Sequence, residues 1–208
     1  MILGRKATVL DVGTGNVDAV VRMVKRAGGS VSIASDQAGV LAAERLVIPG
    51  VGKFDTLMSA LMELNLINPI RSIIDNGIPI FGICLGMQIL FEHSEEGHLP
   101  GLGVIHGGVR RIRDEGQMIP HIGWNMVSYS EPLFADSEGR PDPSEFYFCH
   151  SFVAEPRDTA TLVATVEHGY SLPAAIRSGP IHGVQFHPEK SHLNGLQVFE
   201  SFLGYENA

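Results

Sequence analysis

Two hydrophobic periods alternate along the first half of this chain. Short, largely apolar runs recur at 7–12, 31–34, 45–48 and 78–83, and glycine, proline or aspartate bounds each of them. Runs with little polar alternation predict strands covered on both faces, as in a parallel sheet. Between the runs the spacing lengthens to the helical period. Val17, Val20, Val21 and Val24 predict a helix that ends near Gly28 and Gly29. The stretches 54–65 and 69–76 predict two more helices, the second closed by Gly77 at its C′ position. The order βαβα predicts an α/β fold: a doubly wound, mostly parallel central sheet flanked by helices.

Beyond Phe91 the pattern breaks. Glu92, Glu95 and Glu96 form an acidic cluster that reads as a solvated helix end. Residues 101–120 are glycine-rich with short β runs, 136–145 is a polar loop, and Phe146-Tyr147-Phe148 is an aromatic strand. The runs at 174–177 and 181–185 predict the last strands, and 196–203 a closing helix. The later strands are short and read as antiparallel additions to the main sheet. With no linker, repeat or low-complexity tract, residues 1–208 are expected to form a single domain.

Composition narrows the function. A net charge of -8 argues against a nucleic-acid footprint. Two cysteines, Cys84 and Cys149, make no disulfide framework and fit a reducing compartment. The apolar run after Arg5 and Lys6 stops at Asp11, too soon for a secretory signal, and the run 78–91 is too short to span a bilayer. The expectation is a soluble cytoplasmic protein.

Candidate chemistry centres on Cys84. A cysteine in an apolar run is commonly a small buried hydrophobe. Here it stands between Gly82 and Gly86, where a strand gives way to a helix with Leu85, Gln88 and Ile89 at helical spacing. Glycine on both sides of one reactive side chain permits the sharp turn of a nucleophile elbow. The dipole of the following helix would favour a thiolate there. Pro49-Gly50-Val51-Gly52, directly after a buried strand, can aim backbone N–H groups at a developing oxyanion, although a plain turn has the same composition. Gly13-Thr14-Gly15-Asn16 lacks the remaining residues of a dinucleotide or P-loop fingerprint and reads as a tight turn. His187 and Glu189, two apart, point to one side of an extended segment, so the carboxylate can orient the imidazole. Cys–His–Glu is the minimal set for acyl transfer through a thioester.

Gly82-Ile-Cys84-Leu-Gly86-Met-Gln88 and His187-Pro-Glu189 resemble the nucleophile elbow and His-Glu pair of class I glutamine amidotransferases. Within that family the chain is similar to the glutaminase subunits of imidazole glycerol phosphate synthases, in histidine biosynthesis. The similarity runs through Asp11 to Asn16, Leu46 to Gly52, Ser94 to Gly97, Pro120 to Asn125, His150-Ser151 and Gly183 to Ser191. Relatives such as anthranilate synthase carry Gly-Pro-Gly where this chain has Pro-Gly-Val-Gly. The resemblance implies hydrolysis of L-glutamine to glutamate, with Cys84 as nucleophile, His187 as proton relay and Glu189 as its orienter. It implies an oxyanion hole from the N–H of Leu85 with that of Val51 or Gly52. Gln88, Glu96, Ser151 and Phe152 would position glutamine. Asn16, Trp124, Tyr147 and Lys190 would face a cyclase subunit, a (β/α)8 barrel that forms a heterodimer with this chain and uses the ammonia. No cofactor, metal, nucleic acid or membrane is implied. Val12, where the family usually has Tyr, and a longer loop at 136–144 are departures that bear on the partner contact. The other readings are a different amidotransferase glutaminase, as in anthranilate or pyridoxal phosphate synthesis, and a non-catalytic scaffold that keeps the fold.

Overall fold

The computed structural model describes residues 5–133 and 144–205. The anticipated βαβα order is present in the first half. Strands β1 (Lys6–Leu10), β2 (Ser30–Ala34), β3 (Leu46–Gly50) and β4 (Ile80–Cys84) alternate with helices α1 (Val17–Arg26), α2 (Gln37–Leu41), α3 (Phe54–Glu63) and α4 (Ile67–Asp75). Every residue of β3 and β4 is buried, which is why neither shows a polar alternation. Asn76 caps α4, Gly77 follows at φ +76, and the Gly77 and Ile78 N–H groups donate back to Ile74 and Ile73. A short helix α5 (Leu85–Gln88) leaves Cys84 directly.

The second half supplies β5 (His93–Ser94), β6 (Gly107–Arg111), β7 (His121–Tyr129), β8 (Ser144–His150), β9 (Phe152–Pro156), β10 (Leu162–His168), β11 (Tyr170–Ser178), β12 (Ile181–Val184) and α6 (His192–Gly204). The main sheet has nine strands in the order β2-β1-β3-β4-β12-β11-β10-β7-β8. Its pairings are parallel from β2 through β12 and antiparallel from β12 to β8. The antiparallel strands extend the parallel sheet, as their composition suggests, but they are not short, since β7 and β11 have nine residues each. β10 has no counterpart in the sequence reading. β5, β6 and β9 form a separate three-stranded sheet. The core divides into two apolar clusters. One holds Phe81, Phe146, Phe148, Phe186, Phe199 and Phe202; the other holds Ile48, Phe54, Leu57, Leu61, Ile70 and Phe91.

Three expectations change. The helix after Cys84 stops at Gln88, and Leu85, Gly86, Met87 and Gln88 are all buried, so it has no solvent face. The acidic cluster is not a helix end. Glu92, Glu95 and Glu96 accept the backbone N–H groups of Gly107, Arg111 and Phe54 respectively, tying the small sheet and the start of α3 together. Residues 101–120 hold one strand, β6, rather than several. The loop 136–144 lies, but for Ser144, outside the described residues.

Packing is very tight where α5 meets β3 and β4. A Cβ on Gly86 would stand 1.8 Å from the Ile48 carbonyl oxygen, and one on Gly82 would stand 2.7 Å from Gly86 O. Both obstacles are backbone and have nowhere to go. Gly86→Ala should therefore cost roughly 3 kcal/mol or more, or prevent folding outright. Guanidinium unfolding beside the wild type would measure the difference.

Candidate functional site

The site is built at the carboxyl ends of β3, β4 and β12, where the parallel part of the sheet meets the antiparallel extension. Gly50 pairs with Cys84, and Val184 with Ile83, so the Pro-Gly loop and the segment after β12 flank the elbow. Cys84 itself holds φ +54 and ψ -109. That conformation is rare for a residue with a side chain, and its strain is held by the glycine packing beneath it. α5, with four residues, is too short to carry much of a macrodipole, so the sulfur depends on its neighbours rather than on the helix.

His187 reaches the sulfur from the other side. The His187 N–H donates to Tyr147 O at 2.8 Å, and Ser191 Oγ donates to His187 O at 2.7 Å while accepting the Tyr147 N–H at 3.0 Å. The ring is thereby fixed in place from β8. His187 Nδ1 lies 2.9 Å from Glu189 Oε1, with both side chains almost wholly buried. The other ring nitrogen is left for Cys84, with which His187 forms a side-chain hydrogen bond. Burial alone would lower the pKa of this imidazole, but the bonds to Cys84 and Glu189 outweigh it and raise the value to about 10. Both partners thus favour the charged form of the ring, which burial alone would disfavour. Glu189 does not achieve this from an extended strand, as the sequence suggested; 188–190 is a 3-10 turn that folds the carboxylate back under the ring.

A cavity of about 100 Å³ opens over Cys84, room for a small polar molecule and not for a nucleotide. Of the expected residues, Val51, Gly52, Leu85, Gln88, Glu96, Ser151, Phe152, His187 and Lys190 line it. Gly52 holds φ +113, so the loop bends at a residue that tolerates it. Gln88 lines the cavity but is buried, and its amide donates to Phe152 O at 3.0 Å and to Gln185 Oε1 at 2.9 Å. Gln185 was not singled out by the sequence reading. It is fully buried, and its Nε2 lies 3.5 Å from Cys84 Sγ. The signal that could have found it is its polarity in an otherwise apolar strand end, two residues before His187. Cys149 is exposed and also lines the cavity.

Three of the expected partner-facing residues form one surface cluster. Trp124 pairs with Tyr147 across β7 and β8, their rings 6.0 Å apart, and Lys190 Nζ lies 5.2 Å from the Tyr147 ring centroid. The Trp124 ring also stacks on His192 at 5.0 Å. Ile122 and Met126, on the same face of β7, are exposed. Asn16 stands half-buried at the N-cap of α1, beyond the carboxyl end of β1. Beside the cavity lies a histidine cluster. His121 stacks on His168 at 4.0 Å, and its Nδ1 is 3.1 Å from His150 Nε2. Burial lowers His150 to about 3 and His121 to about 4. Among the described residues no group of His, Cys, Asp and Glu could hold a metal ion, and no helix is long and apolar enough to cross a membrane.

The profile of the family described as "Glutamine amidotransferase class-I" matches residues 8–203. The "Imidazole glycerol phosphate synthase subunit HisH" of Synechococcus sp. (strain JA-3-3Ab) is 41% identical over 96% of this chain and 94% of its own length. The protein so described from Moorella thermoacetica is 39% identical over 95% of this chain and 94% of its own. Among solved structures, "Crystal structure of glutamine amidotransferase" superposes with a TM-score of 0.74 at 21% identity, covering 95% of this chain and 98% of that one. "Structure of PurLQS from Thermotoga maritima" gives a TM-score of 0.74 at 18% identity, covering 96% and 97%. These two show the fold alone.

The depressed histidines give the fold a measurable pH dependence. Unfolded, they take up protons as pH falls through about 6.5, whereas folded they resist until about 4 for His121 and 3 for His150. Their contribution is therefore complete above pH 6.5 and is lost progressively as pH falls below it. The guanidinium midpoint should drop between pH 6.5 and 4, and His150→Gln should flatten that slope. Parallel slopes in the two proteins would show that His150 contributes nothing to the acid limb.

Proposed function

The chain belongs to the class I glutamine amidotransferase family and acts as the glutaminase subunit of an imidazole glycerol phosphate synthase, and we propose that its Cys84, His187 and Glu189 carry out the hydrolysis. The observation that carries this assignment is geometric: the strained Cys84 and the buried His187 line one cavity, and His187 Nδ1 lies 2.9 Å from Glu189 Oε1.

The steps follow from that geometry. The Cys84 sulfur attacks the carboxamide carbon of L-glutamine, and the carbonyl electron pair moves onto oxygen. The N–H of Leu85, at the first residue of α5, and that of Val51 or Gly52 would receive this oxyanion, a role supported by all three residues lining the cavity. His187 gives its proton to the nitrogen, ammonia leaves, and a thioester remains. Water then attacks the thioester while His187 takes up its proton. Glutamate departs and the imidazolium beside a sulfur anion is restored. Glu189 keeps the ring in one orientation throughout and stabilises its charge. Glu96, Ser151 and Phe152 line the cavity where the amino acid end of glutamine would sit. Gln88 also lines the cavity; its NH₂ is engaged by Phe152 and Gln185, and its Oε1 would be the atom that meets glutamine.

The synthase implies a second subunit. The proposed partner is the cyclase, a (β/α)8 barrel docked as a heterodimer on the face that carries Trp124, Tyr147 and Lys190, with Asn16 at its margin. Residues 1–208 act as one amidotransferase domain, in the cytoplasm, with no cofactor.

Cys84→Ala in the assembled synthase should abolish glutamine-dependent product formation and leave formation from added ammonium salt intact. Loss of both activities would make Cys84 structural. In the same assay His187→Asn should be slower than Glu189→Gln, because the first removes the proton carrier and the second only its orienter. The Pro-Gly-Val-Gly loop motivates a further comparison. Val51 is β-branched between two permissive glycines, a setting for a peptide with donor-in and donor-out states. Glutaminase turnover should be low for the chain alone and rise when cyclase and its nucleotide ligand are added. One missing oxyanion donor accounts for roughly 10²–10³ of that rise. Equal turnover under all conditions would refute the gating while leaving the triad untouched.

A further inference from the structure

The residues around Cys84 include one polar side chain that the mechanism above does not use. Gln185 is fully buried, and among the described residues its Nε2 has one recorded acceptor, the Cys84 sulfur at 3.5 Å. Which end of this amide faces the sulfur is settled by a chain of obligate donors and acceptors. The carbonyl oxygen of Phe152 can only accept. The Gln88 group 3.0 Å from it must therefore be its NH₂, and the atom of Gln185 that lies 2.9 Å from that NH₂ must be an oxygen. The NH₂ of Gln185 is left pointing at Cys84.

The Phe152 carbonyl is itself held from the other side. His150 Nδ1 lies 2.8 Å from it and must donate. A neutral His150 then accepts at Nε2, so His121 donates from Nδ1 at 3.1 Å. A neutral His121 accepts in turn at Nε2, where the Asn125 amide lies 3.3 Å away. Asn125 is fixed by donating to Glu167 O at 2.8 Å and by accepting from the Met126 N–H at 2.8 Å. Depressed pKa values keep both imidazoles neutral, which this pattern requires. Two donors thus meet on a single carbonyl: His150, backed from β7, and Gln88, which also donates to Gln185 and so aims that amide at the nucleophile.

Resting on the assignment of Cys84 as nucleophile, we propose that Gln185 is a positioning residue that donates an amide hydrogen bond to the Cys84 sulfur, aimed by Gln88 on the Phe152 carbonyl that His150 and His121 hold in place. A neutral thiol is a weak acceptor for a buried amide, and a thiolate is a strong one. The donor therefore favours the attacking form, at a place where a four-residue helix offers little. It also restricts the side-chain rotation of Cys84, so that the sulfur stays between His187 and the cavity.

Gln185→Met keeps the length and removes both the donor and the acceptor. It is tested in the intact synthase with Cys149→Ser as background, so that iodoacetamide reports on Cys84 alone by mass spectrometry. The alkylation rate near neutral pH should fall about tenfold, the size of one lost charge-assisted bond, and its pH profile should move to higher pH. The kcat for glutamine should fall with it while KM changes little, and ammonia-dependent activity should be unchanged. The other ionisable groups lining the cavity, Glu96, His150, His187 and Lys190, are unaltered in this variant. Should Gln185→Met fail to fold, Gln88→Met leaves Gln185 in place but frees its orientation, and a smaller shift in the same direction is expected. An unchanged profile in the variant that folds overturns the proposal, as does a change in KM alone. If Cys84 of the Cys149→Ser background is itself unreactive and the synthase cannot use glutamine, the assignment of Cys84 as nucleophile fails instead.

Discussion

The approach of α5 to β3 is the constraint on which the site depends. The Gly86 α-carbon comes so near the Ile48 carbonyl that an added Cβ would stand 1.8 Å from that oxygen. Gly50 and Gly82 are pressed against the same turn, where added Cβ atoms would meet Gly86 N at 2.5 Å and Gly86 O at 2.7 Å. The chain can follow a fully buried strand with a helix in the space of one residue only because these three positions lack side chains. The residue at the bend then takes φ +54, and its side chain is carried out over the carboxyl edge of the sheet. Strain at Cys84 is therefore not an accident of the active site. It is what remains after the glycines have fixed everything around it.

The second requirement is a base that reaches this sulfur, and it comes from the other kind of pairing in the sheet. β12 lies parallel to β4, but the next strands run antiparallel and bring β7 and β8 round to the same edge. Tyr147, on β8, accepts the His187 N–H and so anchors the base from outside the parallel part. A wholly parallel sheet would leave the segment after β12 as a free loop end. The two core clusters are the two faces of the sheet, since alternate residues of the parallel strands divide between them: Val9, Val47 and Phe81 belong to one, and Leu10, Ile48 and Ile80 to the other.

The first half of the chain, the bend at Cys84 and the pairing of His187 with Glu189 were legible in the sequence because each depends on a local pattern. Uninterrupted apolar runs mark β3 and β4, and glycines bracket Cys84. Where the reading went astray, contacts distant in sequence had overridden the local signal. Glu92, Glu95 and Glu96 looked solvated, yet each accepts a backbone N–H from 15, 16 or 42 residues away. The spacing of Leu85, Gln88 and Ile89 suggested a longer helix after Cys84, but it stops at Gln88, whose amide is paired inside the protein. β10 mixes Thr165 and Glu167 with Val163 and Val166, a pattern that a single strand face does not explain until its two neighbours, β7 and β11, are known. Gln185 was passed over for the same reason. Its importance lies in two partners, Gln88 and Cys84, that are 97 and 101 residues away.

The same long-range pairing bears on how a partner could influence the chemistry. Under the proposed docking, the cyclase would rest on Trp124, Tyr147 and Lys190. Tyr147 is also the residue whose backbone accepts the His187 N–H, and Ser191 Oγ bridges Tyr147 N to His187 O. Its strand neighbour across β7 leads to Asn125 and His121, the outer end of the chain that holds the Phe152 carbonyl. Base and cavity wall are thus each within a few hydrogen bonds of the exposed rings. Coupling over this distance needs no remote pathway, only two arrangements of β7 and β8 that the partner distinguishes. Contact with the rings alone would not suffice, because a partner that bound both arrangements equally would change neither the position of His187 nor that of Phe152. What it must grip is the strand pair itself, and the exposed Ile122, Trp124 and Met126 on one face of β7 offer it an apolar surface by which to do so.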